Sequence, residues 1–256
     1  MEISDQELEW ALEIKRTVEA TPDLDNLNDM MYAHLAIYSK GNVERAMDRV
    51  MKMQALKEEY GILDTVEQAR QTLGTVLGDY FPGVLLHFGF DQEMETSLIV
   101  YDFSRTDKQI FKCPNRVSTV IQAAYYVSHA KFSNLQIVRK GNVHIMECSG
   151  YSWSLNMFDL KITKRLLTEV HGSYPSTFYQ LFMYHTPMAF NLLVSMMKRS
   201  LPENLKFKFQ VGCTFAGRLN GFYAIPTPEA ATQRALNSLC EALQIRYENE
   251  RTFSLG

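Results

Sequence analysis

The side chains most able to do chemistry fall in four short stretches of this 256-residue chain: NVHIMEC at 142–148, CSGYSW at 148–153, the apolar run 188–200, and the cations that close and follow it. Read as a strand, the first stretch sets Asn142, His144 and Met146 on one side and Val143, Ile145 and Glu147 on the other. Either side could wall an apolar cavity. Asn142 and His144 would then be its polar anchors; the plainer reading of His144 is a structural histidine. The second stretch follows a strand and precedes a helix, as a nucleophile elbow does. Its second glycine position is occupied by Ser154, and no Asp/His order supports a triad. A hydrolase using Ser152 is therefore only an alternative, and Tyr151 and Trp153 read as bulky cavity or core groups.

The third stretch, MAFNLLVSMMKRS at 188–200, carries Phe190, Leu192, Leu193, Val194, Met196 and Met197 around much of a helix. Periodicity alone describes a buried core helix. A lid with one face on a ligand is the functional reading, and adjacent methionines suit a face that adapts to varied apolar shapes. Lys198, Arg199, Lys206 and Lys208 form a local cationic group beside it. Each such charge near an anionic membrane contributes about 1 kcal/mol, in a salt-sensitive way; a solvated surface is the plain alternative.

Helices and strands must position these groups. Residues 1–75 read as helices: one opening helix broken at Thr21-Pro22, a mostly buried one over 27–38, an amphipathic one from Val43 ended by Gly61, and one capped by Asp64 through about residue 77. Apolar runs at 84–90 and 97–103 flank the polar DQEMET and predict a hairpin. Residues 117–127 and 155–170 read as helices, and 135–139 and 142–148 as one or two strands. Strands at 179–185 and 205–211 bracket the apolar run. A long helix capped near Thr227 covers 229 to about 247. Alternating helices and strands predict an α/β sheet covered by helices.

The composition narrows the function classes. Net charge is −3, with no basic excess to suggest nucleic-acid binding. The cysteines, at 113, 148, 213 and 240, form no CxxC pair and have no histidine at zinc-ligand spacing, so reduced thiols are expected. The opening MEISDQELEW lacks the apolar run of a signal peptide, and no window holds the roughly 18 apolar residues of a spanning helix. A cytoplasmic protein is expected. No phosphate-loop, dinucleotide, HExxH or calcium-loop pattern occurs, and no enzyme, metal or cofactor is expected.

In order along the chain, these features resemble the CRAL-TRIO lipid-binding family. Glu147-Cys-Ser-Gly150-Tyr151 looks like the family's acidic-x-x-Gly strand end. Tyr174-Pro175 looks like its aromatic-Pro, His185-Thr186-Pro187 like its Asn-x-Pro, and 188–208 like its gate helix and basic segment, ending at a glycine matched by Gly212. Asn42-Val43-Glu44-Arg45-Ala46 resembles its helical leader. The departures are specific. YAHLAIYSK stands where the leader usually carries arginines, and Ser176 stands where phosphatidylinositol-exchange members place an acid. Thr177 and Tyr179 stand where tocopherol-type members place bases, and Asn142 and His144 fall near the hydroxyls that contact phosphatidylcholine. A helical ending replaces Leu-Pro-x-x-Gly-Gly.

The resemblance implies a helical leader at 1–78, a CRAL-TRIO-like mixed sheet with a gate helix at 79–225, and a C-terminal helix and tail at 226–256. It implies a protein that binds a hydrophobic ligand and transfers or presents it at membranes. The implied lipid-binding residues are Asn142, His144, Met146, Tyr151, Trp153, Leu167, Leu181, Phe190, Leu193, Met196 and Met197. Lys198, Arg199, Lys206 and Lys208 form the membrane patch. The expected partners are a lipid and, peripherally, anionic membranes. The alternative is a scaffold that uses the same fold to bind a small GTPase or another protein.

Overall fold

The computed structural model describes residues 3–93, 95–102, 114–148, 170–175, 178–185, 209–211 and 227–256. Local capping chemistry sets the leader. Helix α1 (Asp5–Glu19) starts at Ser4, whose hydroxyl accepts from the Glu7 amide while the Glu7 carboxylate accepts from the Ser4 amide. Helix α2 (Asp29–Ser39) is capped by Asn28, and α3 (Val43–Tyr60) by Asn42. Residues 30–36 of α2 are all buried, as expected of a helix apolar on every side. The turn between α2 and α3 needs Gly41. Its φ is +75°, and a Cβ there would lie 2.4 Å from the Trp10 indole nitrogen.

Helix α4 (Val66–Thr75) is capped by Thr65, whose hydroxyl accepts from the Gln68 amide. Asp64, the expected cap, instead receives Lys57 at 2.6 Å and the Tyr125 hydroxyl at 3.0 Å. Threonine one residue later sits at the position whose side chain reaches the third helical amide. The helix then runs into a π-helical turn, Val76–Tyr80.

The sheet follows the order β1 (Leu85–Asp91), β2 (Thr96–Asp102), β3 (Asn142–Glu147), β4 (Phe178–Tyr184) and β5 (Phe209–Val211). β1 and β2 form the expected antiparallel hairpin; every later pairing is parallel. The fold is the expected mixed α/β sheet covered by helices. Between β2 and β3 lie α5 (Pro114–Lys131), longer at both ends than its apolar period, and α6 (Leu135–Lys140). Residues 135–139 were expected as strand and are helical. The Asn134 side chain accepts from the Ile137 amide, Gly141 (φ +93°) closes the turn, and Leu135 and Val138, three apart, are both buried. The cap and that spacing outweigh the strand preference of Ile137 and Val138.

The last helix, α7 (Pro228–Thr252), begins at the expected Thr227 cap with proline in its first turn. Its contacts reach across the fold. Thr232 accepts from the Gly83 amide at 2.9 Å and donates to the Leu77 carbonyl at 3.2 Å; Asn249 donates to the Ser133 carbonyl at 2.8 Å. The main core unites the leader, α5, α6 and α7, with Ile14, Leu35, Leu73, Ile121, Phe132 and Leu243 among its members. A second apolar cluster of Leu86, Leu98, Val100, Val143, Ile145, Tyr184 and Ala231 is separate from it.

Candidate ligand-binding site

The register of the parallel strands assigns these two clusters to opposite sides of the sheet. Ser97, Ile99 and Tyr101 on β2 pair with Asn142, His144 and Met146 on β3, and His144 and Met146 pair with Leu181 and Met183 on β4. Because side chains alternate, this is one face. Ile99 and Tyr101 belong to the main core side, and the Ser97 hydroxyl is tied to the Lys131 carbonyl at the end of α5 at 2.7 Å. The opposite face carries Leu98, Val100 and Asp102, then Val143, Ile145 and Glu147, then Phe182 and Tyr184. It is an apolar floor with its polar groups at one end.

That end is where the parallel strands finish, the usual place for a ligand in such sheets. Asp102 and Glu147 are register partners there and both are buried. Glu147 lies 2.9 and 3.0 Å from Nδ1 of His185, the residue by which the chain leaves β4. His185 has φ +47° and its side chain is 71% exposed. The Cys148 amide extends the β3–β4 ladder by donating to the Tyr184 carbonyl at 3.1 Å. Burial, with the Glu147 and Asp102 charges adding to it, pushes the Cys148 thiol up to about 12. It is an inert thiol rather than a nucleophile.

Asn142, His144 and Leu181, expected as ligand contacts, are buried together on the main-core side, with Met146 half-buried beside them. His144 stacks on Tyr101 with ring centroids 5.8 Å apart and planes 19° from parallel. Burial alone pushes the Tyr101 hydroxyl upward. The remaining expected contacts, Tyr151, Trp153, Leu167, Phe190, Leu193, Met196 and Met197, lie outside the described residues, as do Ser152 and the cations Lys198, Arg199, Lys206 and Lys208. The residues that sequence reasoning did not single out are Leu98, Val100 and Phe182. Their signal was present only as apolar strands; which side of each strand shares a floor with Val143 and Ile145 depends on the register.

Tyr174 of the Tyr-Pro pair has a clear place. It is fully buried, its hydroxyl meets His129 Nδ1 at 3.1 Å, and its ring stacks on Phe132 with centroids 5.8 Å apart. It anchors the approach to β4 in the main core. At the far end of the sheet, Phe90, Gln92, Glu95, Asn134, Leu135, Gln136 and Arg139 line an open groove of about 330 Å³. Its cation is engaged: Arg139 holds Glu7 at 2.6 and 2.9 Å and, as the main cause, draws that carboxyl down to about 2. Among the described residues, no three His, Cys, Asp or Glu side chains group as metal ligands. No described helix is long and apolar enough to cross a membrane.

Comparison with known proteins agrees with this architecture. A family model described as the CRAL/TRIO domain matches residues 81–213, just over half of the chain. The protein belongs to the CRAL/TRIO family, a family of lipid-binding and lipid-transfer proteins. Among solved structures, the crystal structure of Sfh5 shares the fold with a TM-score of 0.52 at 12% identity, covering 82% of each chain. No curated protein matches the sequence.

Proposed function

We propose that the protein binds one hydrophobic molecule against the floor formed by Leu98, Val100, Val143, Ile145 and Phe182, and carries or presents it at membranes. The observation that carries this reading is the second apolar cluster, set apart from the main core on the opposite face of the sheet. Apolar contact binds such a ligand without covalent chemistry, at about 25 cal/mol per Å² removed from water. The family supports the same reading. Phe190, Leu193, Met196 and Met197 are proposed as the gate over this floor. Lys198, Arg199, Lys206 and Lys208 are proposed as its contact with anionic membranes on the cytoplasmic side; these parts rest on the sequence.

The test is native mass spectrometry of the purified protein before and after incubation with mixed phospholipid and isoprenoid vesicles, then solvent extraction of anything retained. A stoichiometric lipid supports the proposal and identifies the ligand class. A mass that stays unliganded throughout favours a protein-binding scaffold. Leu193→Asp should abolish uptake while the far-ultraviolet spectrum stays native. Retained uptake would refute the gate assignment.

A further inference from the structure

The leader and the C-terminal helix meet through a buried polar cluster that ligand binding does not explain. Arg246 on α7 is fully buried. Its Nη1 lies 3.0 Å from Nδ1 and 2.9 Å from Nε2 of His34 on α2, and donates to the Phe132 carbonyl at 2.8 Å. Its Nε donates to Glu250 at 2.7 Å. Glu250 also faces Nε2 of His129 on α5 at 3.4 Å, and His129 meets Tyr174. Helices α2, α5 and α7 and the approach to β4 thus share one polar junction inside the core.

We propose that the His34–Arg246 contact is an acid-sensitive joint that holds the leader helix α2 to the C-terminal helix. The geometry requires a neutral imidazole. Guanidinium nitrogens only donate, so His34 must offer a bare ring nitrogen, and either tautomer presents one to Nη1. A proton on His34 removes that acceptor and sets a second cation against a guanidinium buried away from solvent. The charged or titratable groups acting on His34 are Arg246 from α7 and His129 from α5. Burial first, then those two positive or protonatable neighbours, hold the His34 imidazole well below its ordinary range. The acid of the cluster does not offset this, because Glu250 is already engaged by Arg246. Burial works to raise Glu250, yet the nearby His129 and the Arg246 charge hold it at about 2.

The sign follows from linkage. A histidine that stays neutral when closed and titrates near 6.5 when released favours the released state as pH falls below 6.5. Between pH 7 and pH 5 the opening equilibrium should rise about 25-fold. Hydrogen exchange of the full-length protein, corrected for intrinsic rates, reads this directly. Amides of α2 should lose about 25-fold in protection over that range, while those of β2 and β3 hold theirs. The non-titrating His34→Gln should remove the dependence in α2. A flat wild-type response overturns the joint, as does an equal response in His34→Gln. Loss of protection spread evenly over the sheet overturns it too, since the opening would then be global. If His34→Gln does not fold, the wild-type His34 ring resonances decide: protonation at pH 6 with α2 still protected overturns the joint, and a ring still neutral at pH 5.5 in the protected state supports it.

Discussion

Nδ1 of His185 lies 2.9 Å from a carboxylate oxygen of Glu147, and this contact ties the end of β4 to the end of β3. The two residues are far apart in the chain and unequal in setting: Glu147 is buried, whereas the imidazole is largely exposed. The backbone of His185 is in the left-handed region, which non-glycine residues enter at a cost of about 1–2 kcal/mol. The contact with Glu147 helps to hold that conformation.

Asparagine tolerates left-handed backbone and keeps a donor, whereas alanine does neither. His185→Ala should therefore lose about 1–3 kcal/mol in urea denaturation, and His185→Asn clearly less. If His185→Asn loses as much as His185→Ala, neither tolerance of the left-handed backbone nor a retained donor accounts for the loss.

The floor makes its own prediction. Ile145 is buried among Val100, Val143 and Phe182. Ile145→Phe adds volume there, at about 1–3 kcal/mol in stability, and should reduce lipid uptake from vesicles several-fold. The comparison variant is His144→Phe on the opposite face. If His144→Phe abolishes uptake and Ile145→Phe leaves it intact, the ligand lies on the face of Asn142 and His144 instead.

Arg139 holds the Glu7 carboxyl at about 2. A depressed carboxyl contributes stability that is fully present above its unfolded value near 4.5 and is lost as pH falls from there towards 2. Thermal unfolding of Glu7→Gln should thus show a lower midpoint than wild type at neutral pH and a shallower decline between about pH 4.5 and 2. Parallel curves would show that folding does not depress the Glu7 carboxyl.

Cys148 and Cys240 are both buried, and burial raises both thiols. Iodoacetamide at pH 7.5 should leave both unmodified in the native protein and label both in urea, as read by peptide mass spectrometry. Rapid native labelling of Cys148 would contradict its place beneath the strand ends.

The sequence by itself determined whatever depends on neighbours within a few residues. The Thr227 cap follows from a side chain that reaches its own backbone, the stop at Gly61 from glycine's freedom at positive φ, and the hairpin from two apolar runs flanking the short polar DQEMET. The order of glycine, proline and acidic positions also carried the family. The tertiary structure decided the rest. Residues 135–139 looked extended because a short apolar run fits either period; the Asn134 cap and the burial of Leu135 and Val138 against the core select the helix. Alternation in 142–148 showed two faces but not which one joins Leu98 and Val100; a one-residue shift in register would exchange them. The meetings of Glu147 with His185 and of His34 with Arg246 join residues 38 and 212 positions apart. Contacts at that separation exist only once parallel strands and helices from both ends of the chain have packed on one sheet, so no local pattern encodes them.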